Sequence, residues 1–222
     1  MKFKEVLILV ISVVIITGGV VSLAFLASGG KTQSSPSATP TTGQPQAQGQ
    51  SSSSDHHGGG APADSAILDG LKGKTAPDFT LENDKGEKFT LSSLKGKNVI
   101  LFFNEGLMCY PACWNQITAF GKDSRFKGKD VAVLNIVLDK KEDWKQAIAK
   151  MPELAAATVL FDNKRTVSSS YGVLSLASSM HRGQFPGHTY VIVDKNGIVR
   201  FAQDDVQMGV RNDEMATQMA NL

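Results

Sequence analysis

Cys109 and Cys113 are the only cysteines in the chain, held four positions apart in Cys109-Tyr-Pro-Ala-Cys113. Two cysteines are too few for a disulfide scaffold or an all-cysteine zinc site. The pair follows an apolar run, Asn98-Val-Ile-Leu-Phe-Phe103, and opens a segment with Trp114, Ile117 and Phe120 at helical spacing. That order predicts a strand, a turn and a helix starting at the cysteines. A helix start carries partial positive charge and free N–H groups, which favour a thiolate. If one helix holds both residues, i and i+4 share a face. Their Cα atoms would then lie about 6 Å apart, inside the usual disulfide range of roughly 4.4–6.8 Å. The expected chemistry is a reversible dithiol/disulfide couple. Cys109, the more exposed, would attack and Cys113 would resolve. A static disulfide is the alternative, but so short a loop gains little as a staple.

Other residues could join this chemistry. Glu105 lies between the strand and Cys109, where it could accept a proton during exchange or be a solvated loop carboxylate. Trp114, beside the second cysteine, reads as core packing. His188 directly precedes the run Thr189-Tyr-Val-Ile-Val193. Arg182 or Arg200 is the arginine expected to approach the sulfurs.

The elements needed to hold these residues read as an alternating series. Phe79-Thr-Leu81 and Lys88-Phe-Thr-Leu91 flank a turn at Asn83-Asp-Lys-Gly86 and predict a hairpin. Strands follow at 98–103, 131–138 and 158–161, with helices at 111–126, 142–151 and 163–171 between and after them. A late hairpin pairs 189–193 with 198–202 around Asp194-Lys-Asn-Gly197, and a closing helix covers 212–221. Strands joined through helices imply parallel pairing, and the late hairpin implies an antiparallel edge. The predicted fold class is α/β; a thioredoxin-like three-layer sandwich with a mixed central sheet fits this order, though periodicity alone does not name it.

These residues resemble the redoxin group. The resemblance rests on Ala76-Pro-Asp-Phe-Thr-Leu81, Gly86, Phe89-Thr-Leu-Ser-Ser-Leu-Lys-Gly-Lys97, Val99 to Phe103, the paired cysteines, Tyr171-Gly-Val173 and Thr189 to Arg200. It spans nearly all of Leu71 to Ala202. The group includes alkyl hydroperoxide reductase/thiol-specific antioxidant proteins, TlpA-like oxidoreductases and Sco-type copper chaperones. The first implies peroxide reduction, the second thiol-disulfide exchange without a cofactor, the third copper binding. Each pattern is met in part. TlpA-like proteins carry Cys-x-x-Cys and a cis-proline before the facing strand; here one more residue intervenes and His188 takes the proline's place. The peroxide pattern asks for Thr or Ser three residues before the cysteine, where Cys109 has Gly106 and Cys113 has Tyr110. Sco-type proteins pair Cys-x-x-x-Cys with a distant His, as Cys109, Cys113 and His188 do. The resemblance therefore implies these three as an alternative copper set, which two thiolates and an imidazole suit by softness. Met180 and His181, in a Ser/Gly-rich loop, could add ligands to it. The Sco-type proline directly follows the first cysteine, whereas Tyr110 intervenes here.

The rest of the chain places this domain. The 222 residues are 41% apolar and 20% charged, a globular composition. Lys plus Arg is 23 against 21 Asp plus Glu, a net charge of +2, which argues against a dedicated nucleic-acid binder. From Val6 to Ala27 no residue is charged, while Lys2 and Lys4 precede the run. Residues 1–27 therefore read as an N-terminal transmembrane anchor with the remainder extracytoplasmic. A cleaved signal peptide ending near Ala24-Phe-Leu-Ala27 is the alternative. Residues 28–65, rich in Ser, Thr, Pro, Gln and Gly, read as a disordered linker. His56 and His57 within it could bind a metal weakly or be plain linker. Residues 66–222 form the redoxin domain. The expected whole is a membrane-tethered thiol oxidoreductase at the cell membrane, exchanging with a protein thiol/disulfide partner or a membrane electron donor.

Overall fold

The computed structural model describes residues 62–222. The anchor at 1–27 and most of the linker, including His56 and His57, lie outside the described residues. Among the described residues no helix is long and apolar enough to cross a membrane.

A four-residue helix, α1 (Ala66–Asp69), precedes a small antiparallel hairpin of β1 (Thr80–Glu82) and β2 (Lys88–Thr90). The main sheet has five strands: β3 (Asn98–Phe103), β4 (Val131–Val137), β5 (Val159–Phe161), β6 (Thr189–Val193) and β7 (Val199–Asp204). Their order is β5-β4-β3-β6-β7. β3, β4 and β5 run parallel, while β6 is antiparallel to both β3 and β7. This is the mixed α/β sheet expected from the order of the segments.

Side-chain alternation sorts β3 onto two cores. Leu101 and Phe103 join Leu134, Ile136, Val191 and Tyr171 on one face. Ile100 and Phe102 join Tyr190 and Ile192 on the other, beneath Ile117 and Phe120 of α2 (Ala112–Lys122), Trp144 of α3 (Lys141–Lys150) and Met215 of the last helix (Asn212–Ala220). Two packed faces explain why β3 is apolar throughout. Gly121 permits close packing of α2 on the 152–156 turn, since a Cβ there would come within 3.0 Å of the Ala156 carbonyl carbon.

All four helix expectations change in their bounds, the one over 142–151 only by a one-residue shift to Lys141–Lys150. The segment expected as one helix over 111–126 begins at Ala112 and yields at Asp123 to a separate turn at Ser124–Phe126. Asp123 accepts the Arg125 N–H at 3.0 Å and so ends one element while capping the next. The helix expected over 163–171 shortens to α4 (Thr166–Ser170). Here the buried Asp162 carboxylate accepts the Ser168 N–H at 2.7 Å, and Arg165 takes a left-handed φ of 59° that keeps 163–165 out of the helix. The closing helix, α5, ends one residue early, at Ala220.

Candidate functional site

Strand β3 ends at the carboxyl edge of the sheet, and the chain turns there through Asn104 and Glu105 into a 3-10 turn, Gly106–Cys109. Asn104 Oδ1 accepts the Gly106 N–H at 2.9 Å, and Trp114 Nε1 donates to the Gly106 carbonyl at 3.1 Å. Asp139, two residues past β4, adds a third hold: its Oδ2 accepts the Leu107 N–H at 3.1 Å. Gly106 has a φ of +60° and touches the Asp139 carboxylate so closely that no side chain fits at position 106.

Cys109 and Cys113 are disulfide-bonded, with Cα atoms 5.3 Å apart. The distance matches expectation, but the shared helix face is corrected. Cys109 closes the 3-10 turn, a cis Tyr110–Pro111 bond follows, and only Cys113 lies in α2. The expected exposure of Cys109 is also corrected. Cys109 is 3% exposed and Cys113 is 1% exposed, because the turn folds the first sulfur inward. Met108 and Tyr110, on either side, are exposed instead.

His188 is brought to the pair. Its Nδ1 lies 3.6 Å from Cys113 Sγ, and its ring meets Phe102 edge-on at 4.7 Å between centroids. A surface role for this histidine is ruled out by its 1% exposure. The far ring nitrogen, Nε2, faces the Tyr190 hydroxyl at 2.9 Å and the Gly209 carbonyl at 3.3 Å. The surrounding network assigns the tautomer. Gln116 Nε2 donates to Asn212 Oδ1, so Gln116 Oε1 faces inward to accept the Arg211 N–H at 2.7 Å and the Tyr190 O–H at 2.9 Å. The Tyr190 oxygen and the Gly209 carbonyl then both accept from Nε2–H. Nδ1 is left as a bare lone pair aimed at Cys113. Burial lowers the His188 pKa to about 4, with Asp205 pulling weakly upward, so the ring is neutral at neutral pH.

Glu105 is 2% exposed, which removes the solvated-loop reading. Its Oε1 accepts the Met180 N–H at 2.6 Å, the His181 N–H at 3.1 Å and the Ser179 hydroxyl at 3.2 Å. Its Oε2 pairs with His181 Nδ1 at 3.1 Å. The carboxylate thus ties the 179–181 loop to the foot of the cysteine turn. His181 is held there, and Met180 is exposed beside it. Arg200 is not near the sulfurs: its Nε donates to Asp194 at the far end of β6. Arg182 has a buried Nε with no hydrogen-bond partner among the described residues. Trp114 is partly buried and packs on Tyr110 and Trp144.

Several site residues escaped the sequence reading. Tyr190 follows His188 by two on a strand and Gln116 follows Cys113 by three on a helix, so both share a face with a named residue. Arg211, Gly209 and Asp139 come from loop ends that carry no such periodic signal. Among the described residues, Cys109, Cys113 and His188 are the one group of His, Cys and carboxylate side chains close enough to hold a metal, with ligand atoms all within 4.8 Å.

Comparison with known proteins bears on the family and the fold. Peroxiredoxin Q of Sedum lineare, a chloroplastic protein, is 36% identical over 141 residues, covering 60% of this chain and 69% of its own. Peroxiredoxin Q of Triticum aestivum is 34% identical over 137 residues, covering 59% of this chain and 57% of its own. The mitochondrial 2-Cys peroxiredoxin of Plasmodium falciparum superposes with a TM-score of 0.57 at 26% identity, over 68% of this chain and 93% of that one. A redoxin fold with its cysteine pair in disulfide distance is a thiol oxidoreductase scaffold. Residues 72–202 match the AhpC/TSA family, and the chain belongs to that family.

Proposed function

We propose that the chain is an extracytoplasmic thiol oxidoreductase, tethered to the membrane by residues 1–27, that cycles the Cys109/Cys113 couple against a protein thiol or disulfide. The observation that carries the reading is the bonded pair with the bare His188 Nδ1 beside Cys113. In the oxidising direction for the pair, the Cys109 thiolate attacks a partner disulfide. The partner's S–S bond breaks, a mixed disulfide forms, and a partner thiolate leaves and takes a proton. Cys113 passes its proton to Nδ1 and attacks the Cys109 sulfur. The internal disulfide forms, the second partner thiolate leaves, and that proton goes with it. The partner gains two electrons and the pair loses two; a reducing protein or membrane donor restores them. The uncharged run 6–27 behind Lys2 and Lys4 supports the tether.

The test is a redox titration of the full chain in glutathione buffers, read by thiol alkylation. The expected result is a reversible two-electron couple, absent from Cys109→Ser and Cys113→Ser. A pair that stays bonded throughout, below about −300 mV, would make it a structural disulfide and end the reading.

One observation favours a second reading. The two sulfurs and one ring nitrogen of His188 lie within 4.8 Å of one another, so the reduced site fits a copper ion as cargo. Cu(I) titration of the reduced chain against a chelator decides it. One-to-one binding lost in both His188→Ala and Cys109→Ser supports copper delivery, and binding indifferent to His188 removes it.

A further inference from the structure

Asp139 is a carboxylate for which exchange at the sulfurs has no direct use. It sits beyond the carboxyl end of β4, one strand over from the cysteine turn. Asn163 Nδ2 fixes its backbone by donating to the Asp139 carbonyl at 2.6 Å. Its side chain fills the space that any residue other than glycine would need at position 106. Its Oδ2 receives the Leu107 N–H at 3.1 Å, two residues before Cys109. The same turn is gripped from α2 by Trp114 Nε1 on the Gly106 carbonyl.

We propose that Asp139 is the positioning residue of the Cys109 turn, and that its charge state sets how readily the Cys109–Cys113 pair exchanges. The proposal rests on the thiol-exchange reading above and names a residue through which that exchange is tuned. An ionised carboxylate makes a charge-assisted bond to the Leu107 N–H and stiffens the turn. It also places a negative charge on the side where a thiolate must form or attack. Protonation weakens both effects, so the two act in one direction.

Burial pushes the Asp139 pKa up to about 6, the Leu107 N–H pulls it down, and the like charge of Asp143 on α3 adds to the rise. The other ionisable groups around it are Lys140 and Lys141 next in the chain, Glu105 at the foot of the turn and Asp162 past β5. Glu105 is bonded to the 179–181 loop and Asp162 to Ser168. The change in charge therefore falls inside the working range of a thiol enzyme.

The experiment compares the full chain in detergent micelles with Asp139→Asn, which keeps an oxygen for Leu107 and loses the titration. Reduction of the disulfide by glutathione is followed from pH 5 to 8, and the ratio of the two rates cancels the reagent's own pH dependence. The variant should be about three- to tenfold faster at pH 7.5, with the ratio closing towards one below pH about 5. The indole N–H resonance of Trp114 should titrate near pH 6 in the native chain and stay flat in Asp139→Asn. Asp143→Asn, which leaves the turn untouched, should move that midpoint to lower pH. A rate ratio that is constant across pH, or a Trp114 resonance that titrates alike in both proteins, overturns the proposal. A pair inert to glutathione in both proteins at every pH instead sinks the exchange reading, and the role of Asp139 in exchange falls with it.

Discussion

His188 Nδ1 stands 3.6 Å from Cys113 Sγ although 75 positions separate the two residues. The contact exists because β6 runs antiparallel to β3, so the residue before β6 arrives beside the turn that leaves β3. A neutral, buried imidazole against one sulfur makes the pair asymmetric, since among the described residues Cys109 has no such hydrogen-bond neighbour.

Replacing His188 should therefore act on the resolving sulfur. In His188→Ala, the internal disulfide should still form, but the mixed disulfide with a small thiol should resolve about 10²-fold more slowly. Stopped-flow measurement of mixed-disulfide decay checks this. Loss of the first step instead, with resolution unchanged, would assign the histidine to Cys109.

The pH dependence of stability follows from two groups with opposite signs. His188 falls from 6.5 to about 4 on folding, so the unfolded chain binds more protons between those values. Its contribution is present above pH 6.5 and lost as pH falls towards 4. Asp139 rises from 3.8 to about 6, so its contribution is present below 3.8 and lost as pH rises through 6. The two should largely cancel in urea unfolding between pH 4 and 6.5. Asp139→Asn should leave stability rising with pH across that window, and His188→Gln should leave it falling. Equal slopes in both variants would contradict the assignment.

Peroxide should be a poor substrate. Position 106, where the family pattern holds a hydroxyl, is a glycine pressed against Asp139. A missing transition-state donor costs about 10²–10³ in rate. Hydrogen peroxide should oxidise the reduced pair at about the rate of an unassisted thiolate, measured by loss of alkylatable thiol. A rate more than about a hundredfold higher would show that another group binds the peroxide.

Gly106→Ala should destabilise the oxidised domain by about 2–4 kcal/mol, since it meets Asp139 and forces a side chain to φ +60°. Adding Asp139→Ala should restore part of the loss by removing the contact, a coupling that a double-mutant cycle in urea would reveal. Additive losses would mean that the backbone angle alone is responsible.

Glu105→Ala should loosen the 178–187 segment, because the Met180 N–H loses its acceptor and the His181 N–H is left with Ser179 Oγ alone. The cost should be about 2–4 kcal/mol, with faster hydrogen exchange confined to that loop. Glu105→Gln, which keeps one oxygen, should recover most of the protection. Unchanged loop exchange in Glu105→Ala would show that other contacts hold the segment.

The sequence by itself determined the frame and the reactive pair. Two-sided burial wrote residues 99–103 as an unbroken apolar run, and turn residues marked both hairpins, so the succession of elements along the chain followed from local chemistry. The cysteine spacing announced a disulfide, and His188 stood out by its place before a strand. Tertiary structure decided what each residue does there. Pro111 begins a new element, so Cys109 closes a turn instead of heading a helix, and both sulfurs are buried. Glu105 became a loop anchor because β3 ends facing residues 179–181, more than 70 positions away. Asp139 and Arg211 joined the site from loop ends. Their partners, a backbone N–H at Leu107 and an amide oxygen at Gln116, leave no periodic trace in a sequence. Periodicity reports which face of an element is buried; which loops converge over that face is fixed only when the sheet is assembled.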